Sequence, residues 1–122
     1  MLAPNCPDPL KGSVSVHRWT GSALAETWHT RTDYNDPATS QARVTLLGEP
    51  PVGWLLAEDT LQAFEDGTEY VAGSGRPGQS VTFTPEQVRE LGPGQVMVGD
   101  LRAAHKIIPE AEFQQGTAKH CY

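Results

Sequence analysis

Four side chains in the stretch 17–31 have the types that acid–base chemistry needs: His17, Glu26, His29 and Arg31. A carboxylate takes a proton, an imidazole returns it, and a guanidinium holds the charge that develops on a phosphate ester. Gly21-Ser22 lies between two strand-like runs, 13–20 and 23–34, with Gly first as a type II′ hairpin turn requires. That turn predicts Trp19 opposite Leu24, Arg18 opposite Ala25 and His17 opposite Glu26. Alternation along the second strand divides the set. Glu26 shares a face with Leu24, Trp28, Thr30 and Tyr34, the better core candidate, while His29 and Arg31 share the other with Ala25, Thr27 and Asp33. An exposed strand face with mixed polar residues accounts for the same pattern. The alternative function read from these residues, with His105 added, is a small enzyme acting on a phosphate ester or nucleotide. A concave pocket holding two of His17, His29 and His105 would favour it.

Other motifs point away from cofactors and metals. Residues 73–78 match GxGxxG after a strand-like run. A dinucleotide fingerprint needs a helix to open there, so that its amides meet the pyrophosphate. Here a second strand follows and Pro77 removes an amide, so a hairpin loop is expected, with Arg76 at its tip free to meet an anion. His17, His29, His105 and His120 form no HxH or HxxxH pair, and Asp33, Asn35 and Asp36 lack the later ligands of a calcium loop. Cys6 and Cys121 read as free thiols or as a clasp between the termini; zinc spacing is missing. No cofactor and no metal site are expected.

The charge distribution is the strongest asymmetry. The net charge is −6. Residues 1–43 carry four acids and four bases, and 76–122 carry five of each. The excess lies in 44–75, where Glu49, Glu58, Asp59, Glu65, Asp66 and Glu69 occur with no Lys or Arg. This segment reads as a solvated face or as an acidic surface for a basic protein partner. Clustered Lys or Arg, which a nucleic-acid partner requires, is missing. The function expected first is therefore binding: an inhibitor, an immunity-type protein or an assembly component that uses Glu58, Asp59, Glu65, Asp66 and Glu69, with Trp54 and Arg76 beside them. An exposed tryptophan there would serve as an interface anchor.

The elements that must position these residues are mostly strands. At 122 residues one domain is expected, with 1–12 as an irregular, proline-bearing arm. Strands are predicted at 13–20, 23–34, 43–47, 53–57, 68–72, 80–84 and 95–98, with 53–57 buried by its apolar run; 37–47 also suits a short helix. Thr84, Pro85 and Gln87 spell a capping box with Pro at the first helical position, and Gly92-Pro93 stops that helix. Asp59 and Gln62 suggest a second box, opening a helix that runs to Phe64 and ends at Gly67. Residues 101–108 fit either a helical stripe or an edge strand ending at Pro109, and 110–115 a further helical turn or two. Short connections favour antiparallel neighbours. The fold class expected is α+β: about six mostly antiparallel strands in one sheet or a partial barrel, with two or three short helices. No stretch approaches the ~20 apolar residues of a membrane helix, and no basic-then-apolar signal opens the chain, so a cytoplasmic location is expected.

Overall fold

The structure, a computed structural model, describes residues 2–3, 12–19, 24–32, 44–73, 80–99 and 105–114. It is mostly sheet with two short helices, a mixed α+β architecture. The strands are β1 (Leu2–Ala3), β2 (Ser13–Trp19), β3 (Leu24–Arg31), β4 (Leu55–Asp59), β5 (Glu69–Gly73), β6 (Ser80–Phe83), β7 (Gln95–Gly99) and β8 (His105–Pro109). The helices are α1 (Pro85–Arg89) and α2 (Glu110–Gln114). Gly21-Ser22, residues 33–43, Arg76, Cys6, Cys121 and His120 lie outside the described residues.

The strands form two sheets, which corrects the expectation of about six in one sheet or a partial barrel. The larger has the order β4-β3-β2-β5-β6 and is antiparallel throughout. The smaller has the order β1-β7-β8, with β1 parallel and β8 antiparallel to β7. The physical reason is the composition of β7. Val96, Met97 and Val98 leave it no polar face, so it is covered from both sides. Met97, 0% exposed, packs into the core under the larger sheet. Val96 and Val98 turn the other way, onto Phe113 of α2 and Ile108 of β8. Where the sheets meet, Gly99 is essential: a Cβ there would lie 2.0 Å from the Ser80 carbonyl oxygen.

The main core follows the period-two pattern of the larger sheet. Val14 and Val16, Trp28 and Thr30, Tyr70 and Ala72, Val81 and Phe83 all point to one face and are buried. Tyr70 opposite Phe83, joined by Phe64 edge-on at 4.8 Å, forms an aromatic cluster, and the Glu65 amide donates to the Tyr70 hydroxyl at 2.7 Å. Beneath it α1 starts as its sequence dictates. The Gln87 amide donates to the Thr84 hydroxyl, and the Thr84 amide donates to the Gln87 side chain. The helix stops at Arg89 with Glu90 as its C-cap, before Gly92, and Val88 and Leu91 rest against the core.

Three expected elements differ. Residues 44–47 form no strand or helix; Thr45 and Gly48 close a turn instead. The strand expected at 53–57 begins two residues later, and all five residues of β4 are exposed. The helix expected from Asp59 does not form. The Thr60 and Leu61 amides donate instead to the Thr27 carbonyl, at 2.9 and 3.1 Å. The Thr60 hydroxyl accepts from the Thr27 amide and donates to the same carbonyl. These four bonds hold the chain extended beside β3, and the Gln62 side chain donates to the Asp59 carbonyl instead of accepting from the Asp59 amide. Of the two readings of 101–108, His105–Pro109 is strand. The loop after β5 leads into strand β6, not into a helix.

Candidate functional site

The residues with chemical potential gather on the outer face of the larger sheet, opposite the core. A register shift decides which ones. Trp19 pairs with Leu24, as the two-residue turn predicts, but the ladder then slips and His17 pairs with Thr27, not with Glu26. The slip is a β-bulge, in which Ala25 and Glu26 together oppose Arg18. One residue of slip exchanges faces. His17 therefore joins the face of Thr27, His29 and Arg31, and Glu26 remains on the other. There the Arg18 guanidinium meets the Glu26 carboxylate at 3.3 Å, with both side chains about half exposed.

A different carboxylate replaces Glu26 beside the imidazoles. Glu58 on β4 pairs with His29 on β3, and Ser15 on β2 flanks His29 from the other side. A second irregularity, between His29 and Thr30, skips Ala57 and sets Glu58 and Leu55 on the outer face with His29 and Arg31. Asp59 and Leu56 consequently face the core side, opposite Trp28 and Thr30. Sequence reading placed Glu58 in the acidic surface and not with the histidines. Pairing between segments about thirty residues apart leaves no local signal of such a contact.

The hydrogen bonds fix the state of His17. The Thr27 hydroxyl has a single proton and donates it to the Ala25 carbonyl at 3.1 Å. It must therefore accept from His17 Nδ1, 2.8 Å away. The neutral imidazole carries its proton on Nδ1 and its lone pair on Nε2. Burial lowers the His17 pKa below its ordinary 6.5; Glu58 opposes this, and His29 adds to it. A tautomer whose Nε2 carries the lone pair is the form a general base takes. His105 stands apart from the group. It lies on β8 and donates from Nδ1 to the Thr82 carbonyl of β6 at 2.7 Å, tying the two sheets together. Among the described residues no three His, Cys, Asp or Glu side chains are grouped to hold a metal ion.

The acidic segment resolves into separate environments. Asp66 binds Arg89 at 2.8 Å, and both ends are mostly exposed, so the bridge adds little stability. Glu65 and Asp66 sit in the turn before β5, where Gly67 takes a left-handed φ of +79° and donates its amide to Glu86. Glu69 starts β5 opposite Trp19. Trp54 does not serve as the exposed anchor expected of it: at 6% exposure it belongs to the core. The exposed apolar groups beside the acids are its neighbours, Val52 at 97%, Leu55 at 65% and Leu56 at 43%. Leu55 and Leu56, with Glu58 and Asp59, line one edge of the larger sheet, since among the described residues β3 alone pairs with β4.

No protein-family model, curated protein or solved structure matches this chain. Among the described residues no helix is long and apolar enough to cross a membrane.

Proposed function

We propose that this chain is a binding domain that engages a basic protein partner through the acidic segment 44–75, with β4 at the centre of the contact. One observation carries the reading: β4 is a sheet strand whose five residues are all exposed, and two of them are Glu58 and Asp59. A strand with one neighbour presents a row of backbone donors and acceptors, and its apolar side chains in water add a gain on burial. Carboxylates along such an edge repel a second copy of the same edge and attract an opposite charge. Such a surface suits an inhibitor, an immunity-type protein or an assembly component alike.

The test is affinity capture from the source cells, with the retained proteins identified by mass spectrometry. Glu58→Gln/Asp59→Asn/Glu65→Gln/Asp66→Asn should lose a basic protein that the wild type retains. The difference should shrink as salt rises, because the Debye length falls from about 8 Å toward 3 Å. Identical retention by both proteins ends this reading.

A second reading rests on its own observation, the tautomer that Thr27 fixes on His17. It makes the outer face, with His29, Glu58 and Arg31, an acid–base site for a phosphate ester. Hydrolysis of bis(p-nitrophenyl) phosphate that His17→Gln abolishes would support it, and hydrolysis left unchanged by that substitution would exclude His17 from the chemistry.

A further inference from the structure

The sheet edges at β6, β8 and β4 differ in what they admit. The outer edge of β6 is closed by protein: Gly99 approaches the Ser80 carbonyl, and His105 donates to the Thr82 carbonyl. The outer edge of β8 carries Lys106 and ends in Pro109, which has no amide to donate. Lysine and proline are the residues that deter pairing along an edge. β4 has neither. Its sequence, Leu55-Leu56-Ala57-Glu58-Asp59, sorts into an apolar half and an acidic half, all exposed.

From this edge we propose that the partner supplies an extended segment that adds to β4 as a further antiparallel strand. Its pattern, read from N- to C-terminus, is two basic residues followed directly by two apolar residues, because Ala57 is the extra residue of β4 and takes no partner across the ladder. This rests on the binding reading above and names the chemistry of its partner. Every pairing in the larger sheet is antiparallel, so the added strand continues the existing ladder. Antiparallel register sets the first basic residue opposite Asp59 and the second opposite Glu58. The two apolar residues then fall opposite Leu56 and Leu55. Because Leu55 and Glu58 face outward while Leu56 and Asp59 face the core side, each face of the added strand carries one basic and one apolar residue. A second copy of β4 does not fit this pattern. Centred on Ala57, it would set Leu55 against Asp59 and Leu56 against Glu58, leaving four carboxylates with no cation between them.

A labelled six-residue peptide, Thr-Lys-Arg-Leu-Val-Thr, is the probe. Fluorescence anisotropy should show saturable binding to the full chain, with amide NMR shifts concentrated at 55–59. The reversed peptide should bind about tenfold more weakly. Glu58→Lys/Asp59→Lys should lose the peptide to a similar degree and gain affinity for Thr-Glu-Glu-Leu-Val-Thr, which separates charge recognition from misfolding. Equal binding of forward and reversed peptides, shifts centred elsewhere, or failure of the charge swap overturns the strand-addition mode. If the peptide fails while cellular capture still depends on the four carboxylates, the acidic surface stands as a docking face and only the added strand falls.

Discussion

β4 and β7 look alike as sequence and occupy opposite environments. Each contains a short apolar run, Leu55-Leu56-Ala57 in one and Val96-Met97-Val98 in the other. β7 is buried over four of its five residues, whereas β4 is exposed over all five. The difference lies in their neighbours. β7 has a strand on each side, the main core under one face and α2 over the other. Among the described residues β4 has β3 alone, and the apolar residues that reach the core beside it are Trp54, just before the strand, and Leu61, just after it. Apolar composition thus sets what a strand gains from burial, and position in the sheet sets whether burial occurs.

The comparison can be broken most directly by cutting side chains from each strand. Met97→Ala should cost about 2–5 kcal/mol, because it opens a cavity between two layers. Leu55→Ala should stay within about 0.5 kcal/mol. Urea unfolding of both variants checks this, and comparable losses would mean that β4 is covered after all. Gly99→Ala probes the junction at the end of β7. Its Cβ would meet the Ser80 carbonyl, and overpacking there should cost about 1–3 kcal/mol by the same measurement.

Thr60→Val sharpens the β4 side. It removes both hydroxyl bonds to buried Thr27 and leaves the Thr27 amide without its acceptor, a loss of about 1–3 kcal/mol. If this clamp holds β4 in place, amide hydrogen exchange at 55–59 should quicken while exchange in β7 stays slow. Thr84→Ala, in a helix cap belonging to neither strand, serves as the yardstick at about 1 kcal/mol.

The smallest effect concerns pH. The folded state holds the His17 pKa below the unfolded value of 6.5, so near and below that pH the unfolded chain binds more protons. The His17 contribution is therefore fully present above pH 6.5 and is lost as pH falls through 6.5 toward the lowered folded value. The titratable and charged groups on the same face are His29, Arg31, Glu58 and Glu69. His17→Gln should flatten the pH dependence of the urea midpoint between pH 5 and 7. An unaltered slope would show that His17 is not the titrating group.

Local chemistry was legible wherever it needed only neighbours in sequence. The box of Thr84 and Gln87 with Pro85, and the alternation that buries Trp28 and Thr30, follow from a few adjacent residues, and both are found in the structure. The box suggested by Asp59 and Gln62 has the same spelling and fails, because Thr60 and Leu61 give their amides to Thr27, more than thirty residues away. A local cap competes with a distant carbonyl, and sequence spacing carries no measure of the distant partner.

The same limit governs the candidate site. The sequence by itself supplied the residue types, the mostly-strand composition and the acidic excess of 44–75. Tertiary structure decided the grouping, through two irregularities of register. One moves His17 from Glu26 to Thr27, and the other brings Glu58 opposite His29. Each displaces a strand by a single residue, yet the pleat has a period of two, so a single residue carries a side chain to the opposite face. The placing of β4 at the edge and β7 between layers is likewise a property of the assembled sheets. It depends on which strands lie beside them, and no residue within either strand encodes that.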